Sequence, residues 1–486
     1  MKFLSIRPSL TPAAFVTAAG LLLSSFPALG AYTAPATGDH VAVATDCPEA
    51  TRVALQILQN GGNAADAAIG AALTLGVVGP SASGLGGGGF ALVYSHKDKK
   101  VTSLDFREIG ASKIDIDKLL DQHGMSTTIN ASRGVAIGVP GEPAGLEWLS
   151  AHYGKKSLAS DAEPAAEIAT RGFLVGAHLA DGLVRFKDYV GVSPDLARAF
   201  FPGGSPLGER ATMKRAELAK SIRRFGAEGS RPFYTGDIAK KEADAAQAAG
   251  GNVTVEDFAR YGVRERPPLS RTIDGLTIYT MPAPSAGGLM LLETLSIYGA
   301  SPSSPLAGMG YGSSAYVHVV AEAMRAAISD RVRLAADPDA DPSVNAAFEA
   351  ALAPEQIAAR RAKIDPNKTR VAPEFKTKEQ GTSHLVIADA EGNVVSLTTT
   401  VNGPFGARVV AGDTGILLND QMRDFSSPKD IVGFGVVGLG PNRPRPLTRP
   451  VSSMTPTIVL EKGEPILALG GSGGMRIASN VTETTL

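Results

Sequence analysis

The segment GTSHLVIADAEGNVVSLTTTVN, Gly381 to Asn402, carries more hydroxyl groups than a pair of strands needs. Leu385 to Ile387 and Val394 to Leu397 are β-formers, and Asp389 to Asn393 between them is turn chemistry. If those five residues are the loop, Ala388 faces Val394, and continuing the register sets Thr382 opposite Thr400. Cross-strand Cβ atoms lie about 4.5–5.5 Å apart, close enough for two hydroxyls to interact directly or through a small group. The plainer reading is that threonine favours strands.

Three further motifs carry possible chemistry. Arg107, in LDFRE at the end of an expected strand, offers a planar guanidinium for bidentate capture of a carboxylate. Its alternative is a surface ion pair with Asp105 or Glu108. GLGGGG, Gly84 to Gly89, fits a dinucleotide fingerprint, but that motif requires a helix next and FALVYS reads as a strand. The glycines instead allow close approach of a backbone to a ligand or another strand. GGSGG, Gly470 to Gly474, fits a nucleophile elbow around Ser472, yet that machinery needs a later histidine and the last one is His384. A glycine turn after the strand PILALG can present backbone N–H groups to an oxyanion.

The elements that must position these groups alternate between helix and strand. DCPEATRVALQILQNGG reads as a helix with Asp46 as a cap candidate, Pro48 in its first turn and Gly61-Gly62 at its end. A second, alanine-rich helix runs to about Val78. Phe90 to Phe106 reads as two strands around HKDKK, and 140–260 as mostly helical. LTIYTMPAPSAGGLMLLETL gives a strand, a rigid turn and a helix, and AYVHVVAEAMRAAISDRVRLAADP an amphipathic helix ended by Pro338. From about 365 the chain is polar and twice interrupted by proline, an exposed linker immediately before the threonine-rich hairpin. The class is mixed α and β.

Composition bounds the partners. The 486 residues are 44% hydrophobic and 20% charged, as in a folded globular protein, and 47 basic against 48 acidic residues leave a net charge of −1. Nothing there calls for nucleic acid or an anionic membrane surface. The single Cys47 excludes an internal disulfide, and the seven histidines are scattered, so no metal or other cofactor is expected. Lys2, Arg7, the apolar AAFVTAAGLLLSSF and Ala28-Leu29-Gly30 read as an export signal over 1–30. Its removal implies a periplasmic or secreted protein that does not remain in the membrane.

Taken in order, NGGNAADAA, SGLGGGGF, LDFRE, VPGEPAGL, MPAPSAGG, GTSH, TTTVN, GILLNDQMRDFS, RPVSSMTPTIV and GGSGGMR resemble the γ-glutamyltranspeptidase family of N-terminal-nucleophile hydrolases. The match runs from about Val41 to Arg476. The resemblance implies an α+β fold, the four-layer αββα sandwich of that hydrolase type. It also implies self-cleavage between Gly381 and Thr382 into a large subunit, 31–381, and a small one, 382–486. Thr382 would be the nucleophile with its freed amine as base, and Thr400 the second threonine that hydrogen-bonds it. Arg107 resembles the clamp on a glutamyl α-carboxylate, assisted by Ser452 and Ser453. Asn402, Gln421 and Asp424 resemble the α-amino site, and Gly473 and Gly474 the backbone donors to the oxyanion. The implied substrates are glutathione and other γ-glutamyl compounds, with water, an amino acid or a dipeptide as acceptor. A glutaryl-type cephalosporin acylase of the same fold would not need the ammonium site.

Two departures from the family pattern stand out. Ser383 occupies the position of a usual second threonine, keeping a hydroxyl. The sequence ends at RIASNVTETTL, where family small subunits continue. The resulting expectation is an incomplete sandwich with the PILALG strand at an edge, and hence an alternative in which the protein is an inert γ-glutamyl-binding remnant.

Overall fold

The computed structural model describes residues 36–123, 133–190, 194–299, 306, 308–370, 381–427 and 433–486. The expected signal and most of the linker before Gly381 lie outside the described residues. Met1–Asp39 and His40–Leu486 are separate units, and the sheets and helices of the site belong to the second.

The threonine-rich hairpin lies inside a six-stranded antiparallel sheet. Its strands are β1 (Ala42–Thr45), β2 (Gly88–Ser95), β3 (Lys100–Phe106) and β4 (Arg264–Arg266), joined by β7 (Gly381–Ala388) and β8 (Val394–Asn402). The spatial order is β1-β7-β8-β2-β3-β4. A four-stranded sheet is made of β5 (Leu269–Ile273), β6 (Leu276–Thr280), β9 (Thr457–Glu461) and β10 (Glu464–Leu469), ordered β10-β9-β6-β5. β10 is therefore an edge, as expected of PILALG. Ile466 and Leu467 on it are exposed, and Leu469 is partly buried.

Helices cover the outer faces. On the six-stranded sheet lie α1 (Pro48–Gln59), α2 (Ala64–Val78) and α3 (Glu142–Tyr153), with α4 (Leu158–Arg171) packed on α2 and α5 (Ala216–Glu228) on α4. On the other sheet lie α6 (Gly287–Tyr298), α7 (Ser314–Leu334), α8 (Pro354–Arg361) and α9 (Arg476–Thr485). This is the expected four-layer αββα order. Among the described residues no helix is long and apolar enough to cross a membrane.

Local chemistry accounts for the helix ends. Asn63 and Asp66 form a capping box at the start of α2, whose small side chains let it lie closely on β7 and β8. α1 carries Pro48 in its first turn as expected, but its N-cap is Cys47, whose Sγ accepts from Ala50 N–H at 3.4 Å, and not Asp46. Asp46 is engaged elsewhere. β1 pairs with β7 only as far as Thr45–Leu385, and the next strand donor, His384 N–H, is taken by the Asp46 carboxylate at 3.1 Å. α7 stops at Leu334, with Ala335 already extended, so the helix ends before Pro338.

Side-chain alternation divides the core. On β2, Ala91 and Val93 face the helices while Phe90, Leu92 and Tyr94 face the second sheet. On β8, Val395 and Leu397 face the helices and Val394 the second sheet. The same period puts Thr382, His384, Ser396, Thr398 and Thr400 on the inner face with Val386 and Ala388. That face is apolar beside the 389–393 turn and polar at the far end.

The Gly84–Gly89 run explains how the strands come so close. A Cβ on Gly89 would lie 2.1 Å from Thr398 O, so only a glycine lets β2 lie beside β8 there. We expect Gly89→Ala to destabilise the protein by about 1–3 kcal/mol in chemical denaturation, the usual cost of overpacking. Gly208→Ala, at an exposed position with nothing within 4 Å of the added atom, serves as control and should be neutral. Equal midpoints for the two variants would contradict the close approach.

Candidate active site

At its polar end the hairpin keeps the expected register as far as Ser383–Thr399. Gly381 then pairs with Asn402, so β8 carries one residue more than β7 between those pairs. Asn402 closes this bulge at φ +75°, a left-handed conformation that asparagine tolerates better than most side chains. The bulge delivers the Thr400 hydroxyl to the chain in front of it. Thr400 Oγ1 donates to Gly381 O at 2.5 Å and accepts from Asn402 N–H at 2.8 Å. Thr382 Oγ1 lies 2.8 Å from Gly381 O and 3.4 Å from Thr400 Oγ1. The two threonines thus meet, and both address one peptide carbonyl. Ser383 points the other way, its Oγ accepting from Ser83 Oγ at 3.3 Å. Gly381 is restricted by packing as well as by chemistry, because a Cβ there would lie 2.3 Å from Ser81 O.

A charged cluster adjoins this centre. Arg107 is 1% exposed, which overturns the surface ion-pair alternative. Its Nη2 donates to Asp424 Oδ2 at 2.7 Å and to Val451 O at 3.1 Å, and its Nε to Pro450 O at 3.2 Å. Asp105 accepts the Arg107 backbone N–H, while its carboxylate also meets Arg266 and Arg449. Gln421 Nε2 donates to the same Asp424 oxygen at 2.7 Å, and Gln421 Oε1 is buried with no partner among the described residues. Asn402 joins the cluster to the hairpin, because its Nδ2 donates to Asp420 O at 3.1 Å, next to Gln421.

Ser452 and Ser453 follow the two carbonyls that hold Arg107. Their hydroxyls are turned to other partners: Ser452 Oγ accepts from Met454 N–H at 3.0 Å, and Ser453 Oγ from Arg331 Nε at 3.1 Å. Gly473 and Gly474 lie between β10 and α9 at φ +115° and +62°. Their carbonyls accept the first N–H groups of α9, and neither of their own N–H groups has a partner among the described residues. This is the arrangement of a donor turn. Among the described residues no group of three His, Cys, Asp or Glu side chains gathers as a metal site.

Several participants escaped the sequence reading. Asn442 ties the cluster together, its Nδ2 donating to Asp424 O at 2.7 Å and its Oδ1 accepting from Val451 N–H at 3.0 Å. Glu108 and Glu142 are wholly buried beside the site. Burial pushes Glu108 up to about 8 despite the opposing charge of Arg107. Burial likewise pushes Glu142 up to about 7 against a hydrogen bond from Thr399 Oγ1. No local pattern marks a carboxylate that will be enclosed by distant segments. By contrast, the polar residues at 382, 384, 396, 398 and 400 alternate along their strands, and that period could have shown a shared face.

A model of the family described as gamma-glutamyltranspeptidase matches residues 50–486. The chain is 36% identical over 443 residues to the glutathione hydrolase proenzyme of Escherichia coli strain K12, a match covering 89% of this chain and 75% of that protein. A cephalosporin acylase from Bacillus halodurans has a similar fold, with a TM-score of 0.77 at 26% identity over 93% of this chain and 82% of that one. The gamma-glutamyltranspeptidase of Helicobacter pylori aligns with a TM-score of 0.65 at 29% identity, over 70% of this chain and 97% of that one.

The enclosed carboxyls set a pH dependence. Folded Glu142 keeps a proton that the unfolded chain releases above about 4.5, so its contribution is complete below that pH and is lost as pH rises through about 7. Unfolding free energy should therefore fall between pH 5 and 8 in the native protein. In Glu142→Gln the fall should be shallower, the two proteins diverging by about 1–3 kcal/mol at pH 8. Parallel denaturation curves across that range would show that Glu142 is already ionised when folded.

Proposed function

Because the chain belongs to the γ-glutamyltranspeptidase family, we propose that it is a self-processing γ-glutamyl hydrolase and transferase acting through Thr382, with glutathione as the natural donor. The observation that carries this reading is the junction of two arrangements. The Thr382–Thr400–Gly381 centre is linked through Asn402 to a buried site where Arg107, Asp424 and Gln421 converge.

Processing comes first. Attack of Thr382 Oγ1 on the Gly381 carbonyl carbon breaks the peptide bond, leaves the threonine nitrogen as an amine and forms an ester. The Thr400 hydroxyl already donates to the oxygen that becomes negative. Water then releases Gly381, giving a large subunit 31–381 and a small subunit 382–486. The freed α-amine, with an ordinary pKa of about 7.7–8.0, becomes the base for the hydroxyl beside it.

Recognition uses charge already compensated. Arg107 and Asp424 neutralise one another, and a glutamyl head group can exchange into that pair, its carboxylate on Arg107 and its ammonium on Asp424 and Gln421 Oε1. Ser452 and Ser453 flank the carboxylate end. The γ-carbonyl then meets Thr382, with Gly473 and Gly474 N–H as donors to its oxyanion. Departure of the amine leaves a γ-glutamyl ester, which water or the amine of an amino acid or dipeptide resolves. A glutaryl amide has no ammonium to place on Asp424 and Gln421 Oε1, so it would leave that half of the site unused. This disfavours the acylase reading. Export of the processed enzyme to the periplasm or medium, after removal of residues 1–30, completes the proposal.

Two outcomes test it. Purified protein should resolve into two fragments on denaturing electrophoresis, with Thr382→Ala remaining a single chain and Thr400→Val cleaving more slowly. A native protein that stays whole on long incubation would remove the nucleophile assignment. On matured enzyme, Asp424→Ala should lower kcat/KM for γ-glutamyl anilides by the equivalent of about 2–5 kcal/mol, while sparing glutaryl anilides. Equal losses on both would show that Asp424 does not read the ammonium.

A further inference from the structure

His384 lies on the same strand face as Thr382, two residues further along β7, and has no role in processing, recognition or acyl transfer as proposed. Its imidazole is buried between the sheets. Nδ1 is 2.8 Å from Thr398 Oγ1, Nε2 is 3.5 Å from Ser396 Oγ, and Ser396 Oγ donates to Leu469 O at 3.1 Å. One proton arrangement satisfies all three contacts: Thr398 donates to Nδ1, Nε2–H points to Ser396, and Ser396 donates to Leu469 O. The chain of contacts runs from the hairpin to the last residue of β10, where the glycine turn begins.

The ring itself reaches the turn. A Cβ on Gly470 would lie 2.2 Å from His384 Cε1 and within 2.5 Å of both ring nitrogens. Gly470 is outside the left-handed region, so its backbone would accept alanine, and the nearest atoms in the way are those of the imidazole. Beyond the turn, Gly473 and Gly474 are anchored by the first bonds of α9, whose Ile477 and Val481 are buried in the apolar cluster that includes α6. The turn is thus held at one end by a helix and at the other by a side chain from the nucleophile's own strand.

We propose that His384 is a positioning residue: it acts as a spacer between the nucleophile strand and the Gly470–Gly474 turn, setting the distance from Thr382 to the oxyanion donors. The proposal rests on the reading of Gly473 and Gly474 as those donors. Two residues of strand cover about 6.6–6.8 Å, and the ring extends from the second of them to Gly470. A displacement of donors matters in the transition state more than in substrate binding, so the effect belongs in kcat.

The test is a double-mutant cycle on the separated, matured heterodimer, using γ-glutamyl-p-nitroanilide. Gly470→Ala should lower kcat at least tenfold with KM within twofold, and His384→Ala should lower kcat several-fold by removing the spacer. In Gly470→Ala/His384→Ala the new methyl enters the space the ring vacated, so kcat should be no lower than in Gly470→Ala alone. Losses that multiply in the double variant overturn the proposal and leave the turn's role in the reaction intact. If kcat is unchanged in Gly470→Ala while its melting temperature falls and recovers in the double variant, the donor reading fails and the proposal fails with it. Should Gly470→Ala not mature, Ser396→Ala replaces it: a several-fold kcat loss that does not add to that of His384→Ala supports the spacer, and a multiplying loss overturns it.

Discussion

Thr400 reaches the Gly381 carbonyl because the β7–β8 ladder holds one register over six successive pairs and then gains a residue. Without the bulge, β8 would continue in step with β7 past Thr400. With it, Asn402 adopts a left-handed φ, its N–H is capped by the Thr400 hydroxyl, and its side chain turns to Asp420. One irregularity therefore brings the Thr382 and Thr400 hydroxyls together and fixes where the chain after Asn402 departs from the sheet. The hairpin can hold so fine a placement because it is interior: β1 flanks it on one side and β2 on the other.

The charged cluster around Arg107 is costly to bury, and its surroundings show how that cost is met. Arg107 has a carboxylate on one side and two main-chain carbonyls on the other, so its guanidinium is enclosed without being stranded. The Pro450–Val451 segment that supplies those carbonyls is itself fixed by charge. Arg449, just before it, donates its N–H to Asp337 and faces Asp105, and Asp105 also binds Arg266 and the Arg107 N–H. Tyr261 completes the ring by donating to Arg107 O. Charges on Asp105, Arg266, Asp337, Asp424 and Arg449 thus hold one guanidinium in place.

Glycine serves closeness for different ends. In β2 it lets a strand lie against β8 where carbonyls would strike any side chain. At Gly470 it lets a turn rest on an imidazole. Burial keeps that imidazole neutral, its pKa lowered to about 3, which suits contacts to hydroxyls and not to a carboxylate. The fingerprint-like GLGGGG resolves into a packing device, and so does the first glycine of the elbow-like GGSGG, because the strand after the first and the contacts of Gly470 are set by neighbours and not by the motif.

Local residue patterns dictated the elements and the register. Period-two alternation and the 389–393 turn set the register as far as Ser383–Thr399, short of Thr382 and Thr400, and the ends of α2, β2, β3 and β6 come from local caps, turns and apolar runs. These are short-range effects, carried by residues a few positions apart. Contacts between distant segments settled the rest. They gave Asp46 to the His384 N–H and left the helix cap to Cys47, because a strand donor at the end of a ladder must find an acceptor. They turned Arg107 from a possible surface ion pair into a buried group held by Asp424 and two carbonyls, and they gave the Ser452 and Ser453 hydroxyls bonds from Met454 N–H and Arg331. They enclosed Glu108 and Glu142, which read as ordinary acidic residues in the chain. The physical reason is common to all of these. Desolvation and pairing depend on what the rest of the chain brings within a few ångströms, and segments such as 105–108, 420–424, 442 and 449–451 become neighbours only when the sheets close.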